Sequence, residues 1–200
     1  MSMKTIAVIG AGQMGQGIAQ VFATSGFRVI LNDIDHQAIV KGVQTLQRSL
    51  HKLHDKGLLD ESPNAITDRI VASTDFSALT RASLVVEAAT ENEQLKRKIF
   101  SQLDKICADE TILATNTSSL SVTRLAAVTS RPEKVIGLHF MNPVPLMQLV
   151  EVIKGLQTSD DTYQTMLDIT QTLNKTAVTS KDRPGFIVNR ILMPMINEAV

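Results

Sequence analysis

The sequence predicts an α/β protein built on a doubly wound, mainly parallel sheet, and three observations carry that prediction. Short runs of β-branched and aliphatic residues alternate with helical patterns of a dozen or more residues, the mark of βαβ units. A glycine-rich turn follows the first such run directly and opens a helix. Right-handed crossovers between the parallel strands then set the winding.

In chain order, strands are expected at Thr5 to Ile9, Arg28 to Asn32, Ile70 to Ser73, Leu84 to Glu87, Ile112 to Thr115, Val135 to Leu138, Leu149 to Ile153 and Ala177 to Thr179. Between the first two, Gln13 to Ser25 carries Met14, Ile18, Val21 and Phe22 on one helical face and stops at Gly26. The stretch from Ile34 to Lys56 is long for a crossover helix, and it is followed by Gly57 and by the cap and first-turn pair Ser62-Pro63. A helical hairpin over about 34–69 is therefore expected after the second strand. On its first arm Lys41, Arg48, Lys52 and Lys56 form a basic stripe, either a solvated face or a contact for phosphates of a second ligand. Asp182-Arg183-Pro184-Gly185 breaks the chain, and Phe186 to Val200 reads as a helix with Ile187, Ile191, Met195 and Ala199 at every fourth position. The division expected is residues 1–183 as one domain and 184–200 as the first helix of a second, helical one, whose apolar face suits an oligomer contact or an absent remainder.

Composition narrows the function classes. At 200 residues, with 44% hydrophobic and 20% charged residues, the chain can bury a core without disulfide or metal support. Its one cysteine, Cys107, allows no internal disulfide and fits a reducing compartment. Twenty basic residues balance twenty acidic ones, and neither half is strongly basic, which argues against nucleic acid as a partner. No apolar run reaches the length of a signal peptide's core or a membrane span, so a cytoplasmic location and no membrane partner are expected.

The glycine turn is Gly10-Ala11-Gly12-Gln13-Met14-Gly15. In this setting Gly10 permits the tight turn, Gly12 lets a pyrophosphate approach the backbone, and Gly15 lets the helix pack on the sheet. The helix N-terminus adds free N–H groups and the positive end of its dipole. Asp33, at the end of the second strand, stands at about the spacing expected of the acid that binds the adenosine ribose. A carboxylate there repels a 2′-phosphate by roughly 4 kcal/mol at 4 Å and an effective dielectric of 20. NAD is thus expected over NADP, unless Asp33 merely caps the next helix.

An alcohol dehydrogenase that uses a nicotinamide needs a general base, a group to orient that base, and donors for the substrate oxygen. His36, His51 and His54 fall in or beside the polar hairpin, and no third ligand marks a metal site. His139 instead ends a strand and precedes Phe140-Met141-Asn142-Pro143-Val144-Pro145. Twelve residues on, Glu151 lies inside the apolar run Leu149 to Ile153, where a buried carboxylate requires a partner. A His139/Glu151 pair meets that need, as a catalytic dyad or as a structural ion pair. Thr115-Asn116-Thr117-Ser118-Ser119 closes another strand, and its hydroxyls and amide suit substrate or nicotinamide oxygens, unless Ser118 or Ser119 simply caps the following helix.

Together these segments resemble the NAD-binding domain of the L-3-hydroxyacyl-CoA dehydrogenases, closest to the bacterial 3-hydroxybutyryl-CoA enzymes. The resemblance rests on Gly10 to Gly15, Val85-Val86-Glu87-Ala88 with Glu91-Asn92, Asn116 to Ser119, His139 to Pro145, Leu149 to Glu151, and Asp182 to Arg190. It implies a Rossmann sheet and the oxidation of a 3-hydroxyacyl-CoA by NAD, or the reverse reduction. It also implies that His139 is the base, Glu151 its orienting partner, and Ser118 and Asn189 the groups that hold the substrate oxygen. Asp33, Glu91, Lys96, Asn116, Ser118 and Asn142 then match NAD-contacting positions beside the glycine turn. Ser49 and Lys56 match coenzyme A contacts, which leaves Lys41, Arg48 and Lys52 as ordinary surface. Family members continue into a helical domain that closes over the acyl-CoA and forms a homodimer, so a chain of this length is expected to bind NAD and to turn over poorly. A related hydroxy-acid or sugar-acid dehydrogenase, and an NAD-holding module without turnover, are the competing readings.

Overall fold

The computed structural model describes residues 5–200, so that Met1 to Lys4 of the expected first domain lie outside the described residues. Eight strands form one sheet in the order β3-β2-β1-β4-β5-β6-β7-β8. These are β1 (Thr5–Ile9), β2 (Arg28–Asn32), β3 (Ile70–Ser73), β4 (Leu84–Glu87), β5 (Ile112–Thr115), β6 (Val135–Phe140), β7 (Leu149–Lys154) and β8 (Thr176–Lys181). The first five match the sequence expectation residue for residue, and the last three run one to two residues further at one or both ends.

The first six strands are parallel, as their apolar runs and intervening helices require. Strand β7 turns back antiparallel to β6, and β8 is parallel to β7. The amino-terminal end of β7 therefore lies beside the carboxyl end of β6.

Burial on both faces follows the period of two. Ile6 and Val8 of β1 enter one core with Ile18 and Phe22 of α1 (Gln13–Thr24) and Ile39, Leu46 and Leu50 of α2 (His36–Asp55). Ala7 and Ile9 enter the other with Ile99, Phe100 and Leu103 of α4 (Glu93–Ile106) and Leu125 of α5 (Val122–Ala126). Each fully buried aliphatic side chain contributes about 1.5–3 kcal/mol relative to exposure. The expected hairpin is present, but its second arm is only α3 (Pro63–Thr67), capped by Ser62. Helix α6 (Asp160–Thr172) links β7 to β8. The chain ends with α7 (Val188–Ala199), along which Ile191, Met193, Met195 and Ile196 are exposed. No helix among the described residues is long and apolar enough to cross a membrane.

Candidate active site

The sheet reverses direction of growth between β1 and β4, which places a crevice at the carboxyl ends of the central strands. At its floor lies the glycine turn. Gly10 has φ of +98°, a left-handed conformation that glycine tolerates and other residues resist. At Gly15 a Cβ would lie 1.7 Å from the Gly10 carbonyl oxygen, so the helix can begin this close to the strand only without a side chain there. At Gly12 a Cβ would meet nothing within 4 Å. The space above Gly12 is thus open, and the N-terminus of α1 has no side-chain cap.

The Asp33 carboxylate reaches this turn, accepting from the Ala11 N–H at 2.7 Å and from the Asp35 N–H at 3.0 Å. The cap of α2 is Asp35, which accepts from the Gln37 N–H, so Asp33 is not the ordinary cap that its position also allowed. An open cradle, uncapped N–H groups and an adjacent carboxylate fit a dinucleotide. The side chain of Gln13 donates to Asn142 at 3.2 Å, which brings the loop after β6 over the same turn, whereas Met14 is half-buried against the core.

His139 and Glu151 face each other by register. His139 pairs directly with Glu151 in the antiparallel β6/β7 ladder, and directly opposed residues share a face. His139 Nδ1 lies 2.7 Å from Glu151 Oε2, with the histidine 7% and the glutamate 0% exposed. The other carboxylate oxygen accepts from the Ile187 and Val188 N–H groups at 2.8 and 3.0 Å, which satisfies the uncapped start of α7. Phe186 packs its ring 5.8 Å from the imidazole. Its φ of +49° is unusual for a side-chain-bearing residue and costs roughly 1–3 kcal/mol. Its burial and the Phe186 N–H to Arg183 carbonyl bond hold it in place.

A third cluster forms where β4 and β5 end. Glu91 Oε1 accepts from Thr117 Oγ1 at 2.5 Å, the Ser118 N–H at 3.0 Å, Ser118 Oγ at 3.3 Å and Ser119 Oγ at 3.1 Å. Burial pushes this carboxyl up, but the Thr117 hydroxyl, the Lys96 charge and the Ser118 and Ser119 bonds together bring it below its ordinary value. Neither Ser118 nor Ser119 caps the next helix. That role falls to Ser121, while Asp182 accepts from Ser121 Oγ and from the Val122 and Thr123 N–H groups. Asn189 donates to the Ser118 carbonyl at 3.3 Å, so α7 meets the serine turn. Asn116 spends its side-chain oxygen on the Phe140 N–H at 2.9 Å, tying the end of β5 to that of β6.

Lys96 stands beside Glu91 in this cluster, at 3.6 Å. It is 1% exposed, and its three ammonium donors go to Glu87 Oε1, Glu87 Oε2 and the Ala89 carbonyl. Glu87, to which the sequence reading gave no role, carries a signal akin to that of Glu151: a carboxylate in an apolar strand, here at its end. Phe186 and Lys175 were also missed, and the Thr115 hydroxyl is spent on Glu87. Lys175 donates to the carbonyls of Val144 and Met147, pinning the loop after β6, and burial pushes its ammonium below its ordinary value. Contacts of that kind between segments 28 or more residues apart leave no local trace in sequence.

On the hairpin side, Ser49 and Lys56 line a groove of about 480 Å³ with Leu53, Pro143 and Leu146. Arg48 and Lys52, both exposed, line it too, whereas Lys41 is outside it. His36, His51 and His54 are exposed, and no cluster of metal-ligating side chains occurs among the described residues.

Residues 5–183 match the family described as the 3-hydroxyacyl-CoA dehydrogenase, NAD binding domain. The chain is 51% identical over 193 residues to a probable 3-hydroxybutyryl-CoA dehydrogenase of Deinococcus radiodurans, covering 96% of this chain and 69% of that protein. It is 48% identical over 199 residues to the 3-hydroxybutyryl-CoA dehydrogenase of Bradyrhizobium diazoefficiens, covering 99% and 68% of the two. The crystal structure of an (S)-3-hydroxybutyryl-CoA dehydrogenase from Ralstonia eutropha superposes with a TM-score of 0.95 at 50% identity, over 99% of this chain and 70% of that one. With the glycine turn, the dyad and the serine turn in place, the chain belongs to the family of 3-hydroxyacyl-CoA dehydrogenases and corresponds to their NAD-binding domain.

Proposed function

We propose that the protein interconverts a 3-hydroxyacyl-CoA and its 3-oxo form, with His139 as the general base for the 3-hydroxyl proton. The observation that carries this reading is the buried His139–Glu151 pair at the carboxyl end of β6. With Nδ1–H committed to the carboxylate, the imidazole keeps the Nε2 lone pair for the substrate proton. As the proton arrives, the imidazolium is stabilised by Glu151, whose position is fixed by the start of α7. A positioned base of this kind contributes on the order of 10²–10⁴ in rate. Ser118, steadied by Glu91, and Asn189, drawn to the same turn, supply hydrogen bonds for the substrate oxygen.

The residues that would hold NAD are Gly10, Gly12 and Gly15 with the N–H groups of Gln13 and Met14 at the pyrophosphate, Asp33 at the ribose, and Asn142 and Ser118 toward the nicotinamide. Bound there, NAD supplies the acceptor for the hydride leaving C3. The groove beside Ser49 combines the cationic Arg48, Lys52 and Lys56 with the apolar Leu53, Pro143 and Leu146. That combination suits the phosphates and the pantetheine arm of coenzyme A. The exposed apolar residues of α7 support the division at residue 183 and a homodimer built through a following helical domain. A cytoplasmic location belongs to the same reading.

The test is to follow NADH oxidation with acetoacetyl-CoA and with free acetoacetate. The CoA ester is expected to be turned over with a kcat/KM at least about a hundredfold higher, since a gain of 1.4 kcal/mol is worth tenfold and several groove contacts are at stake. Equal use of the ester and the free acid would favour a hydroxy-acid dehydrogenase, and NADH binding without turnover an NAD-holding module.

A further inference from the structure

Glu87 and Lys96 form an ion pair 0% and 1% exposed, with a nitrogen–oxygen distance of 2.7 Å. A buried pair of this kind is weak support for stability, because well-packed apolar residues of the same volume often serve as well or better. Its contacts point to a different use. Glu87 also accepts from the Ala89 N–H at 2.7 Å and from Thr115 Oγ1 at 2.8 Å, so it joins the ends of β4 and β5. Lys96, with all three donors filled, lies 3.6 Å from Glu91 Oε2. The opposite oxygen of Glu91 is the one that gathers Thr117, Ser118 and Ser119.

We propose that Glu87 and Lys96 are positioning residues, a buried pair that anchors Glu91 and thereby sets the serine turn that holds the substrate oxygen. This rests on the dehydrogenase reading for its catalytic consequence but not for its geometry. Lys96 fixes one Glu91 oxygen by charge, which aims the other at the turn; Glu87 fixes Lys96 and, through Thr115, the strand from which the turn departs.

The test is the double variant Glu87→Gln/Lys96→Met, which removes both charges and leaves no unpaired ion behind. Its melting temperature is expected within a few degrees of the parent, while amide exchange at Ser118 accelerates at least about tenfold. Turnover of acetoacetyl-CoA is expected to fall at least about tenfold in kcat, with no further loss when the change is added to Ser118→Ala. Parent-like Ser118 exchange at a retained melting temperature overturns the proposal, as does a full additional loss in the Ser118→Ala background. Should the double variant not fold, Thr115→Val decides: a several-fold faster Ser118 exchange supports the anchor and parent-like exchange overturns it. A parent protein without turnover would sink the dehydrogenase reading alone, because the exchange measurement needs no substrate.

Discussion

The glycine turn and the dyad lie along one sheet, at β1 and β6 with β4 and β5 between them, yet they are built from opposite materials. The turn is one stretch of backbone, Gly10 to Gly15, completed by a carboxylate 22 residues away from Ala11. It works through N–H groups and missing side chains. The reaction end is made of side chains from β4, β5, β6, β7 and the start of α7, with bonds such as Asn189 to Ser118 spanning 71 residues. One region depends on space and the other on long-range register. They should therefore fail differently.

The largest effect is expected at Glu151. Replacing it with Ala strands the imidazole and two N–H groups of α7, a loss of about 3–5 kcal/mol in stability for a broken buried pair and a kcat fall of at least about a hundredfold. Thermal unfolding and steady-state turnover measure the two, and wild-type values of either would dissolve the claim that register couples the base to α7. At the turn the order reverses: Gly12→Val should keep its melting temperature, because a Cβ there meets nothing, yet weaken NADH binding at least about tenfold by filling the cradle. Fluorescence titration reads this directly, and unchanged affinity would move the pyrophosphate elsewhere.

Smaller effects separate the two regions more finely. Asp33→Ser with an added neighbouring arginine should shift the NAD:NADP ratio of kcat/KM toward NADP, and a ratio that stays put rejects Asp33 as the ribose acid. Lys56→Ala is expected to raise KM for acyl-CoA several-fold with kcat nearly unchanged, as for binding that is uniform between ground and transition states. Acid should loosen the serine turn and the start of α5. Asp182 and Glu91 are pushed up by burial but held below their ordinary values by their hydrogen bonds, and for Glu91 also by Lys96. A lowered folded value means stabilisation that is complete above about pH 4 and is lost as pH falls through the folded values. Melting curves between pH 6 and 3 should show a smaller acid loss for Asp182→Asn than for the parent.

The same contrast explains what could be read from the chain alone. Strands β1, β4 and β5 were legible to the residue because both their faces are buried and their apolar runs are continuous, and β2 and the half-exposed β3 because their aliphatic runs are bounded by turn residues. The glycine turn was legible because its chemistry is local. His139 and Glu151 were legible as a pair through the cost of burying a lone carboxylate, and that argument applied equally to Glu87, where it was not drawn. The placement of Lys96, the use of both serines on Glu91 and the role of Asp182 as a latch on α5 depend on which strand ends meet. No short-range pattern encodes that meeting.

The most direct measurement is on His139→Gln, with acetoacetyl-CoA turnover and NADH affinity determined on the same preparation. The account predicts a kcat loss on the order of 10²–10⁴ with NADH affinity within about twofold of the parent. Undiminished turnover, or a loss of NADH affinity that matches the loss of rate, would contradict it.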